Sequence, residues 1–294
     1  MAQNPLIGCL TGMGIGHLFG LAIEDKQQTI QGFRELIPKE DAVEKPLPLS
    51  DDLRFIFAVL GAYLSGKDLG EDQICSHFLS AYEGSYLTQG PQTSAVYLAI
   101  KDGQMPIPAA QQAWERSSRK AAGSGGLKRA LPAALWYASS IKDLENETRK
   151  LSQFTHPDPR CTDAAISFNR ILSALLRKEW NHHRDLPRYL IGLTPTMGQA
   201  LQAANLLPLV GLSTSGYAIT MVQAAYRTMN ASKDFAEALL EFLSIGGKTG
   251  TSGMLAGAIL GARWGLSSIP KSWLEMLPEP FSQTLYNNLS ARRS

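Results

Sequence analysis

Glycine recurs at a strict four-residue step at both ends of this chain: Gly8, Gly12, Gly16 and Gly20 near the start, Gly253, Gly257 and Gly261 near the end. On an α-helix a four-residue step stays on one face, and a face without side chains lets another backbone come close. Each glycine inside a helix costs roughly 0.5–1 kcal/mol against alanine. A stripe of them therefore needs a packing reason. The ridges predict terminal helices buried against neighbouring helices, with each other as one pairing.

Between the ridges the sequence reads as helix after helix. Leu53 to Leu64, Asp72 to Tyr82, Ala109 to Lys120, Leu127 to Ser139, Thr162 to Glu179, Gly216 to Met229 and Phe235 to Leu243 carry apolar residues at three- and four-residue steps. Ser50-Asp51-Asp52, Asp158 and Ser232 stand where helix N-caps belong. Strand alternation bounded by hairpin turns is scarce. Pro38 to Pro48, Gly103 to Pro108 and His156 to Pro159 read as loops between helices, not as linkers between domains. The expectation is an all-α fold in a single domain over 1–294.

Composition narrows the function. A chain of 294 residues, 44% hydrophobic, is long and apolar enough to bury a sizeable core, which rules out disorder. Lys+Arg 28 against Asp+Glu 26 leaves a net charge of +2, with the basic residues scattered, so no nucleic-acid surface is expected. Cys9, Cys75 and Cys161 lie far apart, without zinc spacing or a disulfide framework, and read as thiols of a reducing compartment. Leu6 to Ile23 is largely apolar, but no Lys or Arg precedes it, no small-residue cleavage site follows, and it contains His17. It is expected to be neither a signal peptide nor a membrane span, which gives a cytoplasmic protein.

Several motifs carry chemistry. The adjacent carboxylates of Asp51 and Asp52 repel each other and ask for a cation or the positive end of a helix dipole; an acidic first turn behind an ordinary N-cap is the plainer reading. Gly246 to Gly253 is a glycine-rich turn feeding a helix, able to hold an anion or simply to join two helices. Phe242 stands where a Walker A loop needs its first glycine. Lys248-Thr249-Gly250, Ser117-Ser118-Arg119-Lys120 and Ser167-Phe168-Asn169 fit, in order, the motifs of a serine acyl-enzyme of the penicillin-binding type. That remote alternative needs Lys248-Thr249-Gly250 on an edge strand, whereas here it joins two helical patterns. Gly12-x-Gly14-x-Gly16 lacks the spacing and the preceding strand of a dinucleotide fingerprint. His182-His183 reads as a solvated pair. His156 is a candidate pocket residue or a hydrogen-bonded loop residue.

Taken in order, these segments resemble the ADP-ribosylglycohydrolase family over nearly the whole chain. Gly8 to Glu24 is similar to the family's opening Gly-rich helix, which normally contains Gly-Asp and ends in Glu, and Ser50-Asp51-Asp52-Leu53 to its Thr-Asp-Asp-Thr metal motif. Gly90-Pro91-Gln92-Thr93 is similar to its Gly-x-x-Thr turn, and Gly123-Ser124-Gly125-Gly126-Leu127-Lys128-Arg129 to its Gly-Asn-Gly-x-x-Met-Arg stretch. Thr155-His156-Pro157 resembles its Thr-His followed by Pro, Ser215-Gly216-Tyr217 its Ser-Gly-Tyr, and Gly246 to Gly261 its Gly-Gly-Asp-Thr-Asp-Thr-x-Gly followed by a small-residue helix. The resemblance implies an all-α fold with a cleft holding ADP-ribose beside two magnesium ions, where metal-bound water and carboxylates cleave an N- or O-glycosidic bond at the ribose C1″.

The departures fall on the metal ligands. Lys248 and Gly250 stand where the family has Asp, His17 replaces the opening-helix Asp, and Ser50 and Leu53 replace Thr. In the second metal motif two carboxylates are lost and an ammonium is gained, and His17 makes a third acid lost. What remains of a metal shell is Ser50, Asp51, Asp52 and Thr251, with Glu24 nearby in the motif order. The expected cofactor is none or a single magnesium ion. Lys248 is expected to take a metal's place by neutralising Asp51, Asp52 or Glu24. The leading expectation is a pseudoenzyme that binds an ADP-ribose-like small molecule or a protein partner. Its cleft would be lined by Ser124, His156, Ser215, Gly216, Tyr217, Lys248 and Thr249. The alternative is a working hydrolase with a reduced metal site, in which Asp51, Asp52 or Glu24 activates water.

Overall fold

The computed structural model describes residues 4–24, 49–66, 69–85, 89–180, 183–208, 211–231 and 234–277. The loop expected at Pro38 to Pro48, the cap expected at Ser232 and the side chains of His182-His183 lie outside them. The described residues form helices joined by short connections, with no strand among them. Their contacts divide into two units, Met1–Pro48 with Ile171–Ser294, and Leu49–Arg170.

In the first unit the core is a helix pair. α1 (Pro5–Ile23) starts on Asn4, whose side chain accepts from the Leu6 amide, and carries proline in its first turn. By length and composition it could cross a membrane, with a mean hydropathy of 1.8, but 83% of that window is buried inside the protein. What buries it is α14 (Thr249–Trp264). Gly8 meets Gly261, Gly12 meets Gly257, and Gly16 meets Gly253 at backbone distance; a β-carbon on any of these would overlap the facing carbonyl oxygen. Residue numbers rise along one helix as they fall along the other, so the pair is antiparallel. The two glycine ridges are thus two halves of one interface. α12 (Ala218–Ala231) and α13 (Phe235–Leu243) pack on α14, and α11 (Pro195–Ala204) packs on α12. The cap of α13 is Asp234, whose Oδ1 accepts from the Glu237 amide at 2.9 Å. α10 (Leu186–Tyr189) and α15 (Lys271–Leu274) are single turns.

The second unit contains α2 (Asp51–Leu64), α3 (Glu71–Tyr82), α4 (Pro91–Lys101), α5 (Pro106–Arg116), α6 (Gly125–Arg129), α7 (Leu131–Trp136) and α8 (Ile141–Gln153). α9 (Pro159–Leu176) begins there and crosses the division at Arg170. Two expected helices end early for local reasons. α5 stops at Arg116 because Ser118 and Arg119 take left-handed backbone angles, φ 56° and 60°, where Lys120 was expected still to be helical. The run Leu127 to Ser139 divides at Ala130, since Pro132 enters the first turn of α7 and has no amide to continue α6. The core of this unit is aromatic: Phe78 touches Phe55, Tyr82, Tyr97 and Phe154.

Candidate functional site

The antiparallel register decides what meets at one end of the α1–α14 pair. It brings the last turn of α1 to the first turn of α14, where helix amides lack intrahelical acceptors and the dipole is positive. Glu24 fills that position. Its Oε2 accepts from the Gly250 amide at 2.8 Å, and its Oε1 lies 3.3 Å from the Lys248 ammonium. A β-carbon at residue 250 would lie 2.7 Å from Glu24 Oε2 and 2.8 Å from Leu21 Cδ2, so a larger residue there would push the carboxylate from its present place. His17, buried in α1, places Nδ1 2.8 Å from the Gly250 carbonyl oxygen. A carbonyl only accepts, so Nδ1 carries the proton. Thr249 is buried and donates its hydroxyl to the Gly20 carbonyl at 2.7 Å.

The turn before α14 leans on the segment before α12. The Lys248 amide donates to the Thr214 carbonyl at 2.8 Å, and the Thr214 hydroxyl donates to the Gly246 carbonyl. Gly246 and Gly247 sit at φ 79° and 76°, and a β-carbon on Gly247 would strike Thr214. Gly216, at φ 107°, lies beside the Lys248 side chain. Ser215 is exposed and shares a hydrogen bond with Ser213 at 3.1 Å, and Tyr217 and Thr251 are half-buried. Of the residues expected from the sequence, this unit therefore assembles Glu24, Ser215, Gly216, Tyr217, Lys248, Thr249 and Thr251 around the start of α14. Lys248-Thr249-Gly250 opens a helix rather than lying on an edge strand.

In the second unit Ser50 caps α2, its Oγ accepting from the Leu53 amide at 3.4 Å. Asp51, half-buried, pairs with Arg54 Nη2 at 2.6 Å through one oxygen and accepts from Gln89 Nε2 at 3.3 Å through the other. Asp52 is buried. Its Oδ1 accepts from the Tyr82 hydroxyl at 2.6 Å and its Oδ2 from the Lys128 ammonium at 2.6 Å. Burial alone would raise the Asp52 carboxyl, but the Lys128 and Arg129 charges with the Lys128 and Tyr82 hydrogen bonds outweigh it and hold the group below its ordinary value. Burial, reinforced by the Asp52 charge and opposed by Arg129, drives the Tyr82 phenol well above its ordinary range.

Arg129 is 1% exposed and lies over the faces of Phe78 and Tyr82, with ring distances of 5.2 and 5.0 Å. Its guanidinium donates to the hydroxyls of Thr93 and Thr155, each at 3.1 Å. Thr155 Oγ1 in turn lies 2.8 Å from His156 Nδ1. The Thr155 hydroxyl thus links the Arg129 guanidinium to the His156 ring. Burial, then the nearby Arg129 and Lys128 charges, hold His156 well below its ordinary value, with Asp158 opposing. Gly125 makes room for the ring, because a β-carbon there would lie 2.5 Å from His156 Cε1. Ser124 is buried just before α6. Asp158 grips the start of α9, binding Arg160 Nη2 at 2.6 Å, the Arg160 amide at 2.9 Å and Trp114 Nε1 at 2.9 Å. Ser117 Oγ is turned to the Trp114 carbonyl at 2.6 Å and caps the turn after α5, while Ser167 and Asn169 are fully buried.

The sequence reading did not single out Lys128, Tyr82 or Gln89 as partners of the acidic pair. Lys128 was visible only as a charged residue inside a glycine-rich stretch. Its burial, which decides its role, appears once α6 is packed against α2.

The described residues are thus all-α, with paired acids at the start of α2 and a carboxylate against the start of α14. A family model described as ADP-ribosylglycohydrolase matches residues 2–293, and the chain belongs to that family. It is similar to the ADP-ribosyl-dinitrogen reductase glycohydrolase of Rhodospirillum rubrum, with 25% identity over 94% of this chain and 90% of that protein. It is also similar in fold to a solved structure described as an ADP-ribosylglycohydrolase-related protein complex. The TM-score is 0.75 at 20% identity, over 99% of this chain and 98% of that one.

The two magnesium ions that the family implies are a poor fit to the residues present. Magnesium takes a near-octahedral shell of oxygens. Here every carboxylate oxygen of Asp51, Asp52 and Glu24 already faces a donor of the chain itself. Gly250 offers no ligand and Lys248 adds a cation. Among the described residues, no three His, Cys, Asp or Glu side chains come together as a metal ligand set.

Proposed function

We propose that this member of the ADP-ribosylglycohydrolase family binds an ADP-ribose-like ligand without hydrolysing it through a two-magnesium centre. The observation that carries the reading is the engagement of both oxygens in each of Asp51, Asp52 and Glu24. A general base must reach the proton it takes, and a metal-bridging carboxylate must turn its oxygens to the metal. Carboxylates held by Arg54, Lys128 and Lys248 favour neither role. The turn before α14 supplies the binding feature: Gly216 and the Gly246-Gly247 turn hold the backbone beside Lys248, and Lys248 presents an ammonium whose side chain is 57% exposed. A diphosphate suits that cation, and the ADP-ribosyl group named for the Rhodospirillum rubrum relative carries one.

Calorimetric titration of ADP-ribose into the purified protein, with and without magnesium, tests this. Binding of equal strength in both conditions, with no release of ADP-ribose from an ADP-ribosylated substrate, is the expected result. Magnesium-dependent turnover would instead make it a hydrolase, with Glu24, 24% exposed against 18% for Asp51, as the acid most open to water. No binding in either condition would end the small-molecule reading and leave a protein partner.

A further inference from the structure

We propose that the Lys128 ammonium is a built-in cation, standing at Asp52 in place of a bound metal ion. The proposal deepens the proposed function at the same site, and it rests on the reading of that site as magnesium-free, not on the identity of the ligand. Asp52 and Lys128 are 2.6 Å apart, with side chains only 9% and 10% exposed, and come from helices separated by 76 residues of sequence. A carboxylate this deep requires a counter-charge, since an unpaired ion in the interior is strongly disfavoured. Lys128 supplies it from a five-residue helix that packs on both α2 and α8. The other oxygen of Asp52 is closed by the Tyr82 hydroxyl at 2.6 Å, and Gln89 bridges Asp51 and Lys128, its Nε2 3.3 Å from Asp51 and its Oε1 3.5 Å from Lys128 Nζ.

The surroundings also bias the position against a divalent ion. Arg129, next in sequence, is buried against Phe78 and Tyr82, and Arg54 holds Asp51 at 2.6 Å. A metal ion at Asp52 would have to displace a tethered ammonium and then face both Arg54 and Arg129. A tethered cation also differs from a bound one in a measurable way. Its occupancy does not depend on solution concentration, so metal salts should not stabilise the folded protein by mass action.

The test uses the full chain and reads melting temperature in MgCl2 and bound Mn2+ by electron paramagnetic resonance. Lys128→Met removes the charge while keeping an unbranched apolar side chain. Wild type is expected to melt at the same temperature with and without millimolar MgCl2 and to retain no Mn2+. Lys128→Met is expected to melt lower in metal-free buffer, to regain stability with MgCl2, and to retain Mn2+ where wild type retains none. If Lys128→Met does not fold, Asp52→Asn and Asp52→Asn with Lys128→Met decide the question. The double variant should be more stable than Asp52→Asn alone, because the latter leaves a buried ammonium unpaired, and neither should respond to magnesium. Magnesium stabilisation of wild type, or a Lys128→Met protein indifferent to metal, would overturn the proposal. So would a double variant no more stable than Asp52→Asn alone. ADP-ribose binding enters none of these readouts, so failure of the ligand reading is seen separately.

Discussion

The Glu24 carboxylate accepts a 2.8 Å hydrogen bond from the Gly250 amide through space that any side chain at residue 250 would fill. An acid at 250 and Glu24 in its present place therefore exclude each other. Gly250→Asp should displace Glu24 and cost about 1 kcal/mol, the low end for overpacking, because the atoms it meets belong to flexible side chains. Part of that should return in Gly250→Asp with Glu24→Ala. Chemical denaturation reads both, and a Gly250→Asp protein as stable as wild type would show that the exclusion does not operate.

The α1–α14 interface gives a sharper contrast between glycines. A β-carbon at Gly12 or Gly257 overlaps a backbone carbonyl oxygen of the partner helix, which cannot swing away like the end of a flexible side chain. Gly12→Ala and Gly257→Ala should each lose about 3 kcal/mol, the upper end for overpacking. Gly61, exposed in α2, has nothing within 4 Å of its β-position. Gly61→Ala should gain about 0.5–1 kcal/mol from helix propensity alone. Urea denaturation of the three variants should rank them with opposite signs.

His156 makes folding stability depend on pH in a definite direction. Its value is held well below the ordinary 6.5 by burial and by Arg129 and Lys128. Below 6.5 the unfolded chain takes up a proton at this residue that the folded protein refuses. The stability it contributes is full above 6.5 and falls as pH drops from there toward the folded value. His156→Asn should flatten the stability curve between about pH 5 and 6.5 relative to wild type. Parallel curves for the two proteins over that window would refute the assignment of a buried neutral ring.

The two lysine–carboxylate pairs should differ in energetic weight. Tyr82→Phe keeps the ring against Phe55 and Phe78 but removes a donor from buried Asp52, and should cost about 1.5–3 kcal/mol. Lys248→Ala breaks an exposed pair with side chains 57% and 24% accessible, and should move stability by no more than about 1 kcal/mol. Its effect should appear in the ADP-ribose titration instead, as weaker binding with the melting temperature nearly unchanged.

Much of the candidate site was legible because its markers are local. Ser50 caps α2, Asp158 caps α9, Gly90-Pro91 starts α4, and each can be read from a few adjacent residues. Lys248 was expected to neutralise a nearby carboxylate, and it lies 3.3 Å from Glu24. The larger pairing, Lys128 with Asp52, was hidden because a lysine in a short glycine-rich segment has no periodic context from which burial can be inferred. The early end of α5 was hidden too. Nothing in Ser118-Arg119 announces two consecutive left-handed residues, since neither is the glycine that such angles favour.

The sequence by itself determined the all-α class, the family, and the presence of two glycine faces that had to meet a backbone, because helical periodicity and glycine spacing are properties of a few turns of chain. Tertiary structure alone decided the antiparallel register of those faces. Through that register it set Glu24 on Gly250 and His17 on the Gly250 carbonyl, across 226 and 233 residues. It alone placed Lys128 on Asp52. Periodicity tells which side of a helix is apolar, but a buried charge takes whichever partner packing brings within reach, and that distance exists only in the folded molecule.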